Sequence, residues 1–153
     1  KSGRGARGLM QLMPRTAAEM GRDRRFRRGK GRDALFNPKI NIELGSKYLS
    51  HLMYNGDKVR NLFKTLAAYN AGPGKLGRWE SKINYQNDPL MFMESIPSPE
   101  TRNFIEQVFI GLWIYRFRLD QPAPSLTQLA EGNWPHYKSV SNKKMEGFSN
   151  ARN

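Results

Sequence analysis

The chain has 153 residues, a net charge of +13, a pI near 10.3 and no cysteine. The missing cysteine excludes disulfides and thiolate metal sites, and His51 and His136 show no metal-ligand spacing such as HExxH. No apolar run reaches the roughly 18–20 residues that span a bilayer, while the basic surface suits a polyanion: nucleic acid, an acidic membrane face or an acidic cell-wall polymer.

The length suits one domain, residues 1–153, around a single core. Pro14 can occupy the first position of a short helix, PRTAAEM, that ends at Gly21. GRDRRFRRGKGRD follows. It sets Arg22, Arg24, Arg25, Arg27, Arg28, Lys30 and Arg32 against only Asp23 and Asp33. Either it is a solvated loop or it docks an anionic polymer; its glycines argue against one long recognition helix.

Asn37 caps the next helix and Pro38 opens it. Ile40, Leu44, Tyr48 and Leu52 recur every four residues, and Ile42, Leu49 and Met53 widen that face, so residues 38–55 read as an amphipathic helix. NGDK then turns the chain. Residues 58–70 read as a further helix with Val59, Leu62, Phe63 and Leu66 on its apolar side, stopped by AGPG. The cap-then-proline signal returns at Asp88–Pro89 and at Ser98–Pro99. The helix after Ser98, about residues 99–119, is apolar nearly all round and is expected at the buried centre of the domain. QPAP ends it, and Ser125 is expected to cap a short last helix through LTQLAEG. Strand alternation is absent, so the chain reads as mostly α.

Two stretches suit a cleft. In LAAYNAGPG a helix ends in Tyr69-Asn70, and small Ala67, Ala68 and Ala71 admit close backbone neighbours. A tyrosine ring offers a face to the CH groups of a sugar, and a carboxamide pairs with hydroxyl or acetamido groups. The competing reading is a capped helix with Tyr69 as core filler. In GLMQLMP, Gly8 permits close backbone approach, Met10 is an adaptable apolar surface and Gln11 both donates and accepts.

GARGLMQLMP, NPKINIELGSKYL, LAAYNAGPG, ESIPSPETRNF and SLTQLAEGNWPHY occur in that order. Together they resemble the soluble lytic transglycosylase family over residues 2–137. The resemblance implies a mostly helical, goose-type lysozyme-like fold and action on the glycan strands of bacterial peptidoglycan. It implies non-hydrolytic cleavage, in which the muramic sugar's 6-hydroxyl closes on C1 to leave a 1,6-anhydro end. It places Met10 and Gln11 along the cleft and turns Tyr69 and Asn70 to the sugar at the cleavage point. Glu94 corresponds to a family carboxylate near the cleft, and Tyr115 to a family tyrosine on the last long helix. The bland alternatives are a solvated helix-end acid for Glu94 and core packing for Tyr115. No metal or organic cofactor is implied. The implied partner is peptidoglycan in the periplasm or cell envelope, not nucleic acid.

The family's catalytic glutamate lies in an E-S motif nine residues before a serine that aligns with Ser2. Upstream of Ser2 this sequence shows only Lys1. Counting from Glu146 through Asn153 and on to Ser2 recovers that spacing, with Gly147 in place of the usual serine. The expectation is a circularly permuted chain whose ends lie side by side, with Glu146 as the acid. Exposed loops tolerate such permutation. Two alternatives stand beside it: a chain lacking its acid, and a catalytically inactive peptidoglycan-binding scaffold. A basic nucleic-acid-binding helical module is a further reading, supported by the Arg22–Arg32 stretch but by no helix-turn-helix, zinc or RNP motif.

Overall fold

A computed structural model of the chain describes residues 2–54 and 60–139. Among the described residues there are eight α-helices, two short 3-10 turns and no strand. The chain divides into two units, residues 1–59 and 60–153.

The first unit carries α1 (Pro14–Met20), α2 (Gly29–Asp33) and α3 (Pro38–Met53). The Asn37 side chain accepts from the Lys39 and Ile40 amides and Pro38 takes the first turn, as the sequence implies. On α3, Leu44, Leu52 and Met53 are buried, and burial pushes the half-buried Tyr48 phenol above its ordinary value, Glu19 adding to the effect. Ile42 does not join that face: it is 48% exposed. Its position lies about 100° round the helix from Asn41, outside the 41, 44, 48, 52 stripe, so packing that stripe leaves it toward solvent.

The second unit carries α4 (Leu62–Ala71), α5 (Pro73–Glu80), α6 (Pro89–Ser95), α7 (Pro99–Arg118) and α8 (Pro124–Ala130). The Asn61 side chain caps α4. Gly72, at φ +93°, ends it, but Pro73 at once begins α5, a helix the AGPG reading does not include. A proline that breaks one helix is pre-set for the first turn of the next. Asp88 and Ser98 cap α6 and α7 as expected.

Helix α7 is not a buried centre. Thr101, Ile105, Phe109 and Arg116 are buried, but Ile110, Ile114, Tyr115 and Phe117 are 45–66% exposed. One flank meets its neighbours, through Phe63–Phe109 ring contact with α4 at 4.9 Å and a hydrogen bond from Trp113 Nε1 to Ser125 Oγ of α8. Ser125 is therefore no cap. It is a buried residue inside α8, whose N-terminal flank is Ala123. Residues 134–138 are pinned beside α4 and α7. The Leu62 amide donates to the Pro135 carbonyl, the Tyr137 amide to Arg60, and the buried Arg116 guanidinium to the Pro122 and Lys138 carbonyls. The turn expected at residues 55–58, Val59 and the tail that contains Glu146 lie outside the described residues.

Candidate active site

In the first unit the GLMQ stretch is a closed turn. Arg7 and Leu12 exchange two backbone hydrogen bonds of 2.9 and 3.0 Å, and the Gln11 amide donates to the Gly8 carbonyl at 3.1 Å. Gly8 has φ +72°, and a Cβ there would fall on the Leu35 carbonyl and the Asn41 amide. Only glycine meets both demands. Gln11 also takes a left-handed φ of +47°, and its side-chain Nε2 donates to the Gly8 carbonyl at 2.8 Å. The exposed Gln11 amide is thus held by its own turn. Leu9, at 71% exposure, projects from the tip.

Asn41 of α3 holds this turn from below. It is fully buried, and its Nδ2 donates to the Arg7 and Leu35 carbonyls at 2.9 Å each while its Oδ1 accepts from the Met10 amide at 2.7 Å. Gly45, one turn further along α3, makes room for the Met10 side chain: a Cβ there would lie 2.7 Å from its Sδ. Met10 therefore rests on the helix and forms a fixed apolar surface. Neither Asn41 nor Gly45 is singled out by motif reasoning. The signal was available, because a lone asparagine in the apolar stripe of an amphipathic helix must find buried partners.

In the second unit Tyr69 and Asn70 close α4. The Tyr69 ring stacks parallel to Phe104 of α7, with centroids 6.3 Å apart. Asn70 Oδ1 accepts from the buried Thr101 hydroxyl at 2.7 Å, and Thr101 Oγ1 lies 2.9 Å from Ser98 Oγ. This contact turns the Asn70 amide so that Nδ2, a donor, points the other way. Ser98 and Thr101 belong to the SPETR motif, so AYNAG and SPETR are two sides of one hydrogen-bonded corner. Arg102 of the same motif donates to the Ile96 carbonyl and ties α6 to α7. Thr101 too is missed by motif reasoning, and its only sequence signal is its place three residues after the cap.

Glu94 is exposed on α6 and Tyr115, at 66% exposure, on α7. Core packing is therefore not the role of Tyr115. Met10 and Gln11 stand together in the first unit, and Tyr69 and Asn70 together in the second. Glu146 is outside the described residues, as are the two chain ends that the permutation would join.

Thr101→Val tests the corner. It keeps the side-chain shape and removes the donor to Asn70. The expected result is a loss of about 1 kcal/mol in stability, read by denaturant unfolding; an unchanged unfolding free energy would show that the Asn70–Thr101 hydrogen bond does not hold the corner.

A family model described as the transglycosylase SLT domain matches residues 1–92. The chain is 36% identical over 121 residues to a soluble lytic murein transglycosylase of Salmonella typhimurium, covering 79% of this chain and 18% of the relative. It is likewise 36% identical over 123 residues to a soluble lytic murein transglycosylase of Escherichia coli, covering 80% and 19%. Among solved structures, an inactive glutamate-to-glutamine mutant of lytic transglycosylase Slt from Pseudomonas aeruginosa superimposes with a TM-score of 0.68 at 38% identity. That match covers 81% of this chain and 20% of the other. The chain thus spans about a fifth of the length of these relatives.

Proposed function

The chain belongs to the transglycosylase SLT domain family, and from that premise we propose that it is a peptidoglycan lytic transglycosylase that opens the MurNAc–GlcNAc bond without water. The fold is mostly helical and lysozyme-like. The family match runs across the boundary between the two units, which supports reading them as parts of one catalytic domain.

The observation that carries the reading is the Tyr69–Asn70 corner, whose amide is oriented by Thr101 through a 2.7 Å hydrogen bond. A neutral ring and a fixed amide donor suit an N-acetylated sugar. Neither GLMQ nor AYNAG supplies a carboxylate, whereas hydrolysis of the retaining or inverting kind uses two. One acid with substrate assistance is therefore the better fit. The acid protonates the glycosidic oxygen as the C1–O bond breaks, and the neighbouring acetamido group stabilises the cationic C1. The resulting carboxylate then takes the proton of the 6-hydroxyl as its oxygen bonds to C1. The proton returns to the acid, no water is consumed, and a 1,6-anhydro end remains.

Glu146 is proposed as that acid, and Met10 and Gln11 as the apolar and amide surface beside the sugar. Glu94 and Tyr115, both exposed, are assigned to more distant sugar or peptide contacts. The named relatives are bacterial murein transglycosylases, which supports a place of action in the periplasm or cell envelope. Among the described residues no helix is long and apolar enough to cross a membrane.

Mass spectrometry of the products released from purified sacculi tests the reaction. Anhydro-muropeptides, one water lighter than their reducing counterparts, are expected. Reducing ends would make the protein a lysozyme-type hydrolase. Sacculi that sediment with the protein but release nothing would make it a binding scaffold.

A further inference from the structure

The arginine-rich stretch is a built surface, and we propose that it binds the phosphoryl groups of a phosphodiester polymer without bases, such as a polyol-phosphate chain. Nothing in the transglycosylase reaction uses this segment, and the proposal stands on the first unit alone.

The stretch is folded. Arg24–Arg27 form a 3-10 turn capped by the Asp23 side chain, and α2 follows without a linker. Phe26 anchors the turn: a Cβ on Gly21 would lie 2.9 Å from its ring and 3.2 Å from Leu44. Gly31 sits so close to Arg25 that a Cβ would fall on the Arg25 carbonyl. The backbone that displays the guanidinium groups is thus fixed at three points.

The few acids in reach are already committed. Asp23 accepts from Arg25 through both carboxylate oxygens at 2.9–3.1 Å, and that guanidinium holds its carboxyl below the usual range. Glu19 pairs with Arg15 at 3.2 Å and lies 3.9 Å from Arg27. Arg24 and Arg28 are exposed, and with Arg27 they line a cavity of about 450 Å³. It shares Arg24 and Arg28 with a larger neighbouring groove that is also lined by Phe26, Ala34, Ile40, Lys30 and the Arg25-paired Asp23.

The chemistry of the ligand follows from this arrangement. Three arginines line one cavity, and each carries a planar fork of N–H donors. The two unesterified oxygens of a phosphodiester take such a fork, and a repeating chain brings the next phosphate to the remaining arginines, which an isolated carboxylate does not. The adjoining groove, partly apolar and partly cationic, suits the CH backbone and next phosphate of a continuing chain. A concave site favours a chain over a bilayer surface. Among the described residues Phe26 is the one aromatic residue lining the groove, whereas single-stranded nucleic acid is bound by successive stacking platforms, which argues against it.

Calorimetric titration of the protein with tripolyphosphate and with poly(glycerol phosphate) tests this. Binding that weakens with added salt is expected for both. Arg24→Gln/Arg27→Gln/Arg28→Gln should weaken it by about tenfold or more. Lysines at the same three positions keep the charge but lose the forked donors, and should also bind clearly more weakly than wild type. A charge-matched variant in the second unit, Lys75→Gln/Arg78→Gln/Lys82→Gln, should bind as wild type does. Muropeptide release from sacculi stripped of phosphate polymers should be the same in the arginine variant, so failure of glycan cleavage and failure of this site are separately visible. Equal binding by wild type and the lysine variant would reduce the site to general charge attraction and overturn the proposal. Tighter binding to a thymidine oligonucleotide of equal charge, or to vesicles rich in anionic phospholipid, would overturn it in favour of nucleic acid or membrane.

Discussion

Replacing Asn41 with leucine is expected to destabilise the protein by about 2–4 kcal/mol and to cut glycan cleavage by more than about tenfold. Leucine is close in size but has no polar atoms. The Met10 amide loses the Asn41 acceptor, and the Leu35 carbonyl loses its Nδ2 donor. The Arg7 carbonyl fares better, because it still accepts from the Leu12 amide. Two stranded groups at about 1–3 kcal/mol each set the scale. The loss of activity follows from the same atoms, since Met10 and Gln11 are the third and fourth residues of the turn that Asn41 holds. Asn41→Asp separates the two halves of the clamp. Its carboxylate can still accept from Met10, but it meets the Arg7 and Leu35 carbonyls with no donor when ionised. It should therefore be no more stable than the leucine variant. Urea unfolding checks both. A loss below about 0.5 kcal/mol, the range of ordinary surface substitutions, would mean that the turn holds its shape without Asn41.

Glu146→Gln is expected to lower anhydro-muropeptide release by about 10²–10⁴-fold, the usual contribution of a general acid, with the melting transition unchanged. Glutamine keeps the shape and cannot give up a proton. The rate is the proper test of the proposal for Glu146. If this variant releases product at the wild-type rate, the acid is another residue and Glu146 has no part in the reaction.

Helix starts were legible wherever a capping side chain precedes a proline: Asn37–Pro38, Asp88–Pro89 and Ser98–Pro99 all begin helices at the expected residue. Both halves of that signal act within a few residues, so no tertiary information is needed. Its limits are instructive. At Gly72-Pro73 the proline was read as a stop, yet it also begins α5. At Ser125 a residue of the capping type instead accepts from Trp113 twelve positions away. Helix α7 shows a different limit. An apolar surface all round says that burial would be favourable, but only packing decides how much of it finds a partner, and Ile110, Ile114 and Phe117 stay exposed.

By itself the sequence determined the family, the helical class and most helix boundaries, and it singled out the GLMQ and AYNAG stretches. These depend on local backbone chemistry and on motifs whose order is visible in one dimension. Only the tertiary structure decided what makes those residues into fixed surfaces: Asn41 under the GLMQ turn, Gly45 beneath Met10, and Thr101 behind Asn70. Those pairs lie about thirty residues apart in the chain. A buried hydrogen bond or a close approach across that separation depends on how helices meet, and no periodicity within either partner records it.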